Sequence, residues 1–229
     1  MNWQLMWDVL PTLLAGVPLT LQLVALAELL GFAVGLGTAL MRLSDSRAAA
    51  WIAQAYVFVF RGTPLLVQLY LIYYGLGQFD AVRQSAAWTI LREPYWCAIL
   101  GMMLNTGAYT SEILRGAIQS VPPGQVEAAR ACGMGRFLVF RRIVLPIAIR
   151  QALPAYGNEV ILMIKASSLA SIITLMEVTG IARKIISQTF AVFEIFILAG
   201  LIYLALNFAL ARIFRYAERR LSPQARVRA

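Results

Sequence analysis

The chain has 229 residues, 60% of them hydrophobic and 14% charged, with a formal net charge of +9 and no histidine. A soluble domain averages about 45–50% apolar and about 25% charged residues, so this composition describes a chain whose main solvent is a bilayer. Without histidine there is no His-containing metal site and no histidine-based triad. Neither lysine follows a glycine, so no Gly-Lys loop is present to cradle a nucleotide phosphate.

A spanning helix needs about 20 mostly apolar residues. Taken in chain order, residues 9–41, 51–76, 95–114, 147–175 and 193–213 qualify. They predict an all-α integral membrane protein of five transmembrane helices, one domain over residues 1–229. The first run exceeds one span and is expected to start with an interfacial stretch before Gly16 and Pro18. Its first basic residue is Arg42, beyond the apolar run, so no cleavable secretory leader is expected. Gly31 and Gly35 within it form a small-xxx-small pair, the signature of close helix packing. Glu28, also in this run, is an ionisable group expected to pair with another such group or to snorkel to an interface rather than to line a pathway.

The second run is interrupted by Arg61-Gly62-Thr63-Pro64 and ends in Tyr70, Tyr73 and Tyr74, an interfacial aromatic belt. The third carries Asn105, Tyr109, Glu112 and Gly116 on one helical stripe. The fourth places Asn158, Ile161, Lys165 and Ser168 on another, with Glu159 beside it. Ionisable groups inside spans are costly and mark pathways or partners. Arg61, Tyr109, Glu112, Asn158, Glu159, Lys165 and Ser168 are therefore the candidate substrate-pathway residues. Arg61 suits a carboxylate, from substrate or from the protein.

Fourteen of the twenty basic residues fall on one side of these spans and four on the other, with Arg61 and Lys165 inside them. The positive-inside rule then puts the amino terminus outside, in the periplasm, and the carboxyl terminus in the cytoplasm. The arginine-rich tail reads as an anchor to anionic lipid. Cys97 and Cys132 fall on opposite faces and are not expected to pair. With so little soluble chain, the basic charge is juxtamembrane and predicts no nucleic-acid partner.

The inner loop, residues 115–150, is the most informative segment. Val121-Pro122-Pro123-Gly124 ends the extension of the third span. An alanine-rich helix follows and stops at Gly133, and a second helix over 136–145 is expected to stop at Pro146.

Glu127-Ala128-Ala129, Gly133, Ile143 and Leu145-Pro146 stand at the spacing of the EAA pattern. In this setting they resemble the permeases of binding-protein-dependent ABC importers. Phe60-Arg61-Gly62-Thr63-Pro64-Leu65, Asn105 to Ile113 and Pro154 to Ile161 are similar to the polar amino acid permeases. The likeness is nearest to the histidine, lysine–arginine–ornithine and octopine/nopaline group. One departure is Ala166, where that family usually carries an acid or amide after the lysine.

The resemblance implies a type I ABC importer permease that is not itself an enzyme and binds no cofactor. ATP and magnesium would belong to two partner ATPase subunits. A second permease, paralogous or identical, and a periplasmic substrate-binding protein would complete the assembly in the bacterial inner membrane. Glu127, Ala128, Ala129 and Gly133 would form the cytoplasmic coupling helix. The expected cargo is an amino acid, basic or opine-type, with Glu159 meeting its side-chain cation. The alternatives are neutral or acidic polar amino acids such as glutamine or glutamate, or a self-sufficient secondary transporter, against which the absence of internal repeats argues.

Overall fold

A computed structural model describes residues 2–221. The basic tail residues Arg226 and Arg228 lie outside that range. Every regular element among the described residues is helical. Helix α1 (Trp3–Leu14) is capped by the Asn2 side chain, which accepts from the Leu5 N–H. After a break at Gly16 comes α2 (Val17–Arg42), with Pro18 in its first turn, where its missing N–H costs nothing.

Ser46 caps α3 (Arg47–Gly62). The chain then turns by 102° at Thr63-Pro64 into α4 (Leu65–Tyr70), continued through π and 3-10 turns to Gln78. The second apolar run is thus two helices at nearly a right angle rather than one straight crossing. Pro64 is the cause: it forbids helical geometry at the residue before it, and Thr63 is extended. Short helices α5 (Asp80–Arg83) and α6 (Trp88–Leu91) lead to α7 (Pro94–Gln119), the helix with the most buried residues.

Helix α8 (Pro123–Ala131) follows, then α9 (Arg136–Val139). Here one expectation is corrected. The helix beginning at Arg136 does not stop at Pro146; it passes through a π turn, Phe140–Val144, into α10 (Leu145–Ala166) and a 3-10 extension to Ile173. Proline clashes with the carbonyl four residues back in a regular α-helix. A π turn just before it re-registers the ladder, and Pro146 then occupies a tolerated first-turn position. Thr174 turns the chain left-handed (φ 72°) into α11 (Val178–Thr189), and α12 (Val192–Leu221) closes the described chain.

By length and composition, two helical stretches can each cross a bilayer, Trp3–Arg42 and Val192–Leu221. Two bent pairs raise the total to four among the described residues. Helix α7, at 26 residues or about 39 Å, is long enough but interrupted by polar residues. It turns Asn105, Thr106, Thr110 and Ser111 inward, all buried, so it sits at the centre of the molecule.

The α2–α7 contact is the most extensive between helices among the described residues. A Cβ on Gly35 would lie 2.9 Å from the Gly107 carbonyl oxygen, and a Cβ on Gly31 would meet the Thr106 methyl. The small-xxx-small pair is therefore a seam inside this chain. Around it pack Leu23, Val24, Ala27, Leu69, Met102, Met163 and Ile164. A second cluster joins α1, α11 and α12 through Leu13, Val178, Ile195 and Ile202. It is pinned by the buried Glu177, whose carboxylate accepts from Thr179 and Gly180 N–H and from the Tyr203 hydroxyl at 2.6 Å.

Candidate functional site

Helix α7 carries a row of clefts. The first, of about 200 Å³, is lined by Asn105, Tyr109, Glu159, Leu162, Met163 and Ala166. The second, of about 500 Å³, lies towards the C-terminal end of α7, with Arg42, Gln54, Arg61, Tyr109 and Glu112 among its walls. A third, of about 280 Å³, continues past Glu112 and Gly116 to Gln151. Tyr109 is the shared wall of the first two and Glu112 of the last two. The stripe Asn105, Tyr109, Glu112, Gly116 thus contributes a wall to all three clefts.

The bend at Thr63-Pro64 frees backbone carbonyls that an apolar environment would leave unsatisfied. Gln68 answers them. Its amide nitrogen donates to the Phe60 carbonyl at 2.9 Å, to the Thr63 carbonyl at 3.1 Å and to the Thr63 hydroxyl at 2.9 Å. Its oxygen accepts from Asn105 at 3.1 Å. One buried amide therefore fixes both the end of α3, where Arg61 stands, and the Asn105 wall of the first cleft.

Arg61 is exposed, and its guanidinium lies over the Tyr109 ring, 5.1 Å from the centroid. It forms no ion pair among the described residues. Glu112 does: Arg42 takes one carboxylate oxygen and Arg115 the other at 2.7 Å. Glu112 is thereby a structural clamp between α2 and α7. Glu159 is 8% exposed and opens on the first cleft. Thr106 donates to the buried Glu28 at 3.1 Å.

Asn158 and Glu159 part company. Adjacent helical residues point about 100° apart, and Asn158 lines a separate groove with Gly157, Ile161, Phe214 and Arg215, against α12. Asn158 is exposed, as are Gln151 and Lys165 seven residues to either side. Seven residues are nearly two helical turns, so these three form a polar row on one uncovered face of α10, which Ala155 and Leu162 share. Ser168 is half-buried and bonds the Lys165 carbonyl at 2.7 Å.

In the loop after α7, Glu127 and Ala128 are exposed and Ala129 is buried. Gly133 has φ +80°. Met134 N–H reaches the Ala129 carbonyl at 3.1 Å and Gly133 N–H the Arg130 carbonyl at 2.9 Å, the paired bonds of a Schellman stop.

Gln68, the Glu28–Thr106 pair and Glu177 carry buried polar bonds whose partners no local sequence pattern names. Gln68 had a visible signal: it is the only amide in the apolar run from Leu65 to Tyr74, four residues after Pro64.

Residues 29–223 match the family of binding-protein-dependent transport system inner membrane components. The chain is 56% identical over 221 residues to the octopine transport system permease protein of Rhizobium radiobacter, covering 96% of this chain and 90% of that one. It is 56% identical over 229 residues to the nopaline transport system permease protein of Agrobacterium fabrum, covering 100% and 95%. Among solved structures, an amino acid ABC transporter crystallised with histidines superposes with a TM-score of 0.87 at 36% identity, covering 96% of this chain and 99% of that one.

Proposed function

This chain belongs to the binding-protein-dependent transport system inner membrane component family, and on that footing we propose that it imports amino acids or opines with a side-chain cation. It is a permease subunit of an ABC transport system, a membrane component and not an enzyme. ATP and magnesium act on two separate ATPase subunits, and a periplasmic binding protein delivers the cargo. The chain crosses the bacterial inner membrane five times, α7 being the central crossing, with its amino terminus in the periplasm.

The observation that carries this reading is the polar row on the uncovered face of α10. Gln151, Asn158 and Lys165 lie exposed on a helix whose surroundings are apolar, a face too costly to present to lipid. It suits a water-filled path shared with a second permease subunit. Glu159 stands at its edge, in the cleft with Asn105 and Tyr109, as the anionic group for the substrate cation. Ala128 and Glu127 face outward on α8, and Gly133 ends that helix, as a knob that receives the ATPase stroke would require.

The test is competition of labelled substrate uptake in cells. Arginine, histidine and octopine are expected to compete where glutamine does not. Glu159→Gln should weaken uptake of the cationic substrates by about tenfold, the scale of one charge-assisted bond. Unchanged uptake in that variant overturns the assignment of Glu159.

A further inference from the structure

Between Glu127 and Glu159 the chain carries no acid but five arginines, Arg130, Arg136, Arg141, Arg142 and Arg150. None of the five forms an ion pair among the described residues. Arg136, Arg141 and Arg142 stand exposed on the helical stretch that joins the Gly133 stop to α10, and Phe137 among them is 75% exposed. The opposite side of this stretch is covered, with Val139 and Ala148 buried. Taken four apart, Phe137, Arg141, Leu145 and Ile149 are all exposed. In an unbroken α-helix, residues twelve apart point about 120° from each other. The π turn at Phe140–Val144 adds one residue to its turn, which takes back about 100° and brings Phe137 into line with Ile149. The turn that absorbs Pro146 thus also builds one straight row, basic and apolar, that runs from the coupling segment into α10.

We propose that this row binds the headgroup of an anionic phospholipid in the cytoplasmic leaflet, and that the bound lipid anchors the helix between the coupling segment and α10. Leu145 and Ile149 lie on the first turns of α10 and meet the acyl chains there. Arg141 stands about 6 Å before Leu145 along the axis, the depth of one headgroup layer. Arg142 beside it and Arg136 one turn back offer a phosphate further guanidinium donors. Phe137 closes the row as an interfacial aromatic. Gln151 points about 200° from Ile149, so the lipid side and the side assigned to the second permease are opposite faces of one helix. An acidic groove on the ATPase is the competing occupant, and the exposed Leu145 and Ile149 in line with the arginines favour lipid. The proposal rests on the coupling reading of α8 and Gly133 and gives it a fulcrum. With its foot held at the headgroups, this helix passes the stroke received at α8 into α10 instead of swinging with the loop.

The test places the purified permease–ATPase complex in nanodiscs of phosphatidylcholine alone, or of phosphatidylcholine and phosphatidylglycerol in equal parts. Two readouts are taken: retention of spin-labelled phosphatidylglycerol against spin-labelled phosphatidylcholine, and ATPase stimulation by the loaded binding protein. Wild type should retain phosphatidylglycerol in preference and be stimulated more strongly in discs that contain it. Arg141→Gln with Arg142→Gln should lower the preference about fivefold, the scale of one basic residue at an anionic surface, and abolish the lipid dependence of the stimulation. Arg141→Lys with Arg142→Lys should keep both. Arg219→Gln with Arg220→Gln, at the end of α12, removes as much charge elsewhere and should leave the lipid dependence of stimulation intact. Equal retention of the two lipids by wild type, or a preference that the Arg141–Arg142 glutamine variant keeps, overturns the proposal. So does loss of the ATPase subunits from that variant in both kinds of disc, which would make the arginines part of the ATPase dock. Absent stimulation of wild type in either disc would instead strike the coupling reading, and lipid retention would still report on the row.

Discussion

Asn105 on α7 donates to the side-chain oxygen of Gln68 on α4 at 3.1 Å, and this bond ties the central helix to the sharp bend beside it. The same Gln68 amide holds the Phe60 and Thr63 carbonyls through its nitrogen. Without it the Thr63 carbonyl loses that donor and the Phe60 carbonyl keeps only Asn105 at 3.3 Å; an unmet carbonyl costs up to about 1–3 kcal/mol when fully buried. Gln68→Leu should therefore lower the thermal midpoint of the purified complex and reduce uptake, because Arg61 and Asn105 lose their shared anchor. A midpoint equal to wild type would show that the bend holds without the amide.

The helix seam offers a paired control. A Cβ at Gly35 would meet the Gly107 carbonyl and Thr110 atoms at 2.9 Å, whereas at Gly37 nothing lies within 4 Å. Gly35→Val should destabilise by about 1–3 kcal/mol, as overpacking does, and lower the amount of protein in the membrane. Gly37→Val should stay near wild type. Immunoblots of membranes with melting of the purified protein check both, and equal behaviour of the two variants contradicts the seam.

The two arginines on Glu112 come from different helices, Arg42 at the end of α2 and Arg115 on α7. Removing the shared acid leaves two half-buried cations side by side. Glu112→Gln should destabilise by roughly 1–3 kcal/mol, below the range for a fully buried pair. Adding Arg42→Gln should restore part of that, a coupling a double-mutant cycle in chemical denaturation measures. Strict additivity would mean the contact does not hold the helices together.

Gly133 stops α8 in the left-handed region, where a side chain costs about 1–2 kcal/mol. The space around its Cβ position is open, so the strain is of the backbone alone. Gly133→Val should unsettle the knob and uncouple ATP hydrolysis from uptake. Normal substrate-stimulated ATPase activity with normal uptake in such membranes contradicts a coupling role.

How far the sequence could be read depends on which physics decided each feature. Gly133, Pro64 and the Gly31–Gly35 pair act locally, through φ, a missing N–H and a missing Cβ, and each marks a stop, a bend or a seam that the sequence pattern announces. Pro146 is as local but misleads, because a π turn at Phe140–Val144 absorbs it and the neighbouring helices decide whether such a turn forms. Asn158 and Glu159 read as one motif because they are adjacent in sequence; the groove each faces depends on where α7 and α12 pack. Gln68 and Glu28 have partners 37 and 78 residues away, Asn105 and Thr106, and no local pattern names a partner at that distance. The number of crossings stays compositional, and α7 blurs it by burying its polar residues at the centre.

The most direct measurement is uptake into proteoliposomes that hold this chain, its second permease and the ATPase subunits, with binding protein and labelled octopine or arginine outside. Accumulation is expected only with ATP inside, and should stop when the ATPase subunits are omitted. Uptake that persists without them contradicts a permease driven by a separate motor and points to a self-sufficient carrier.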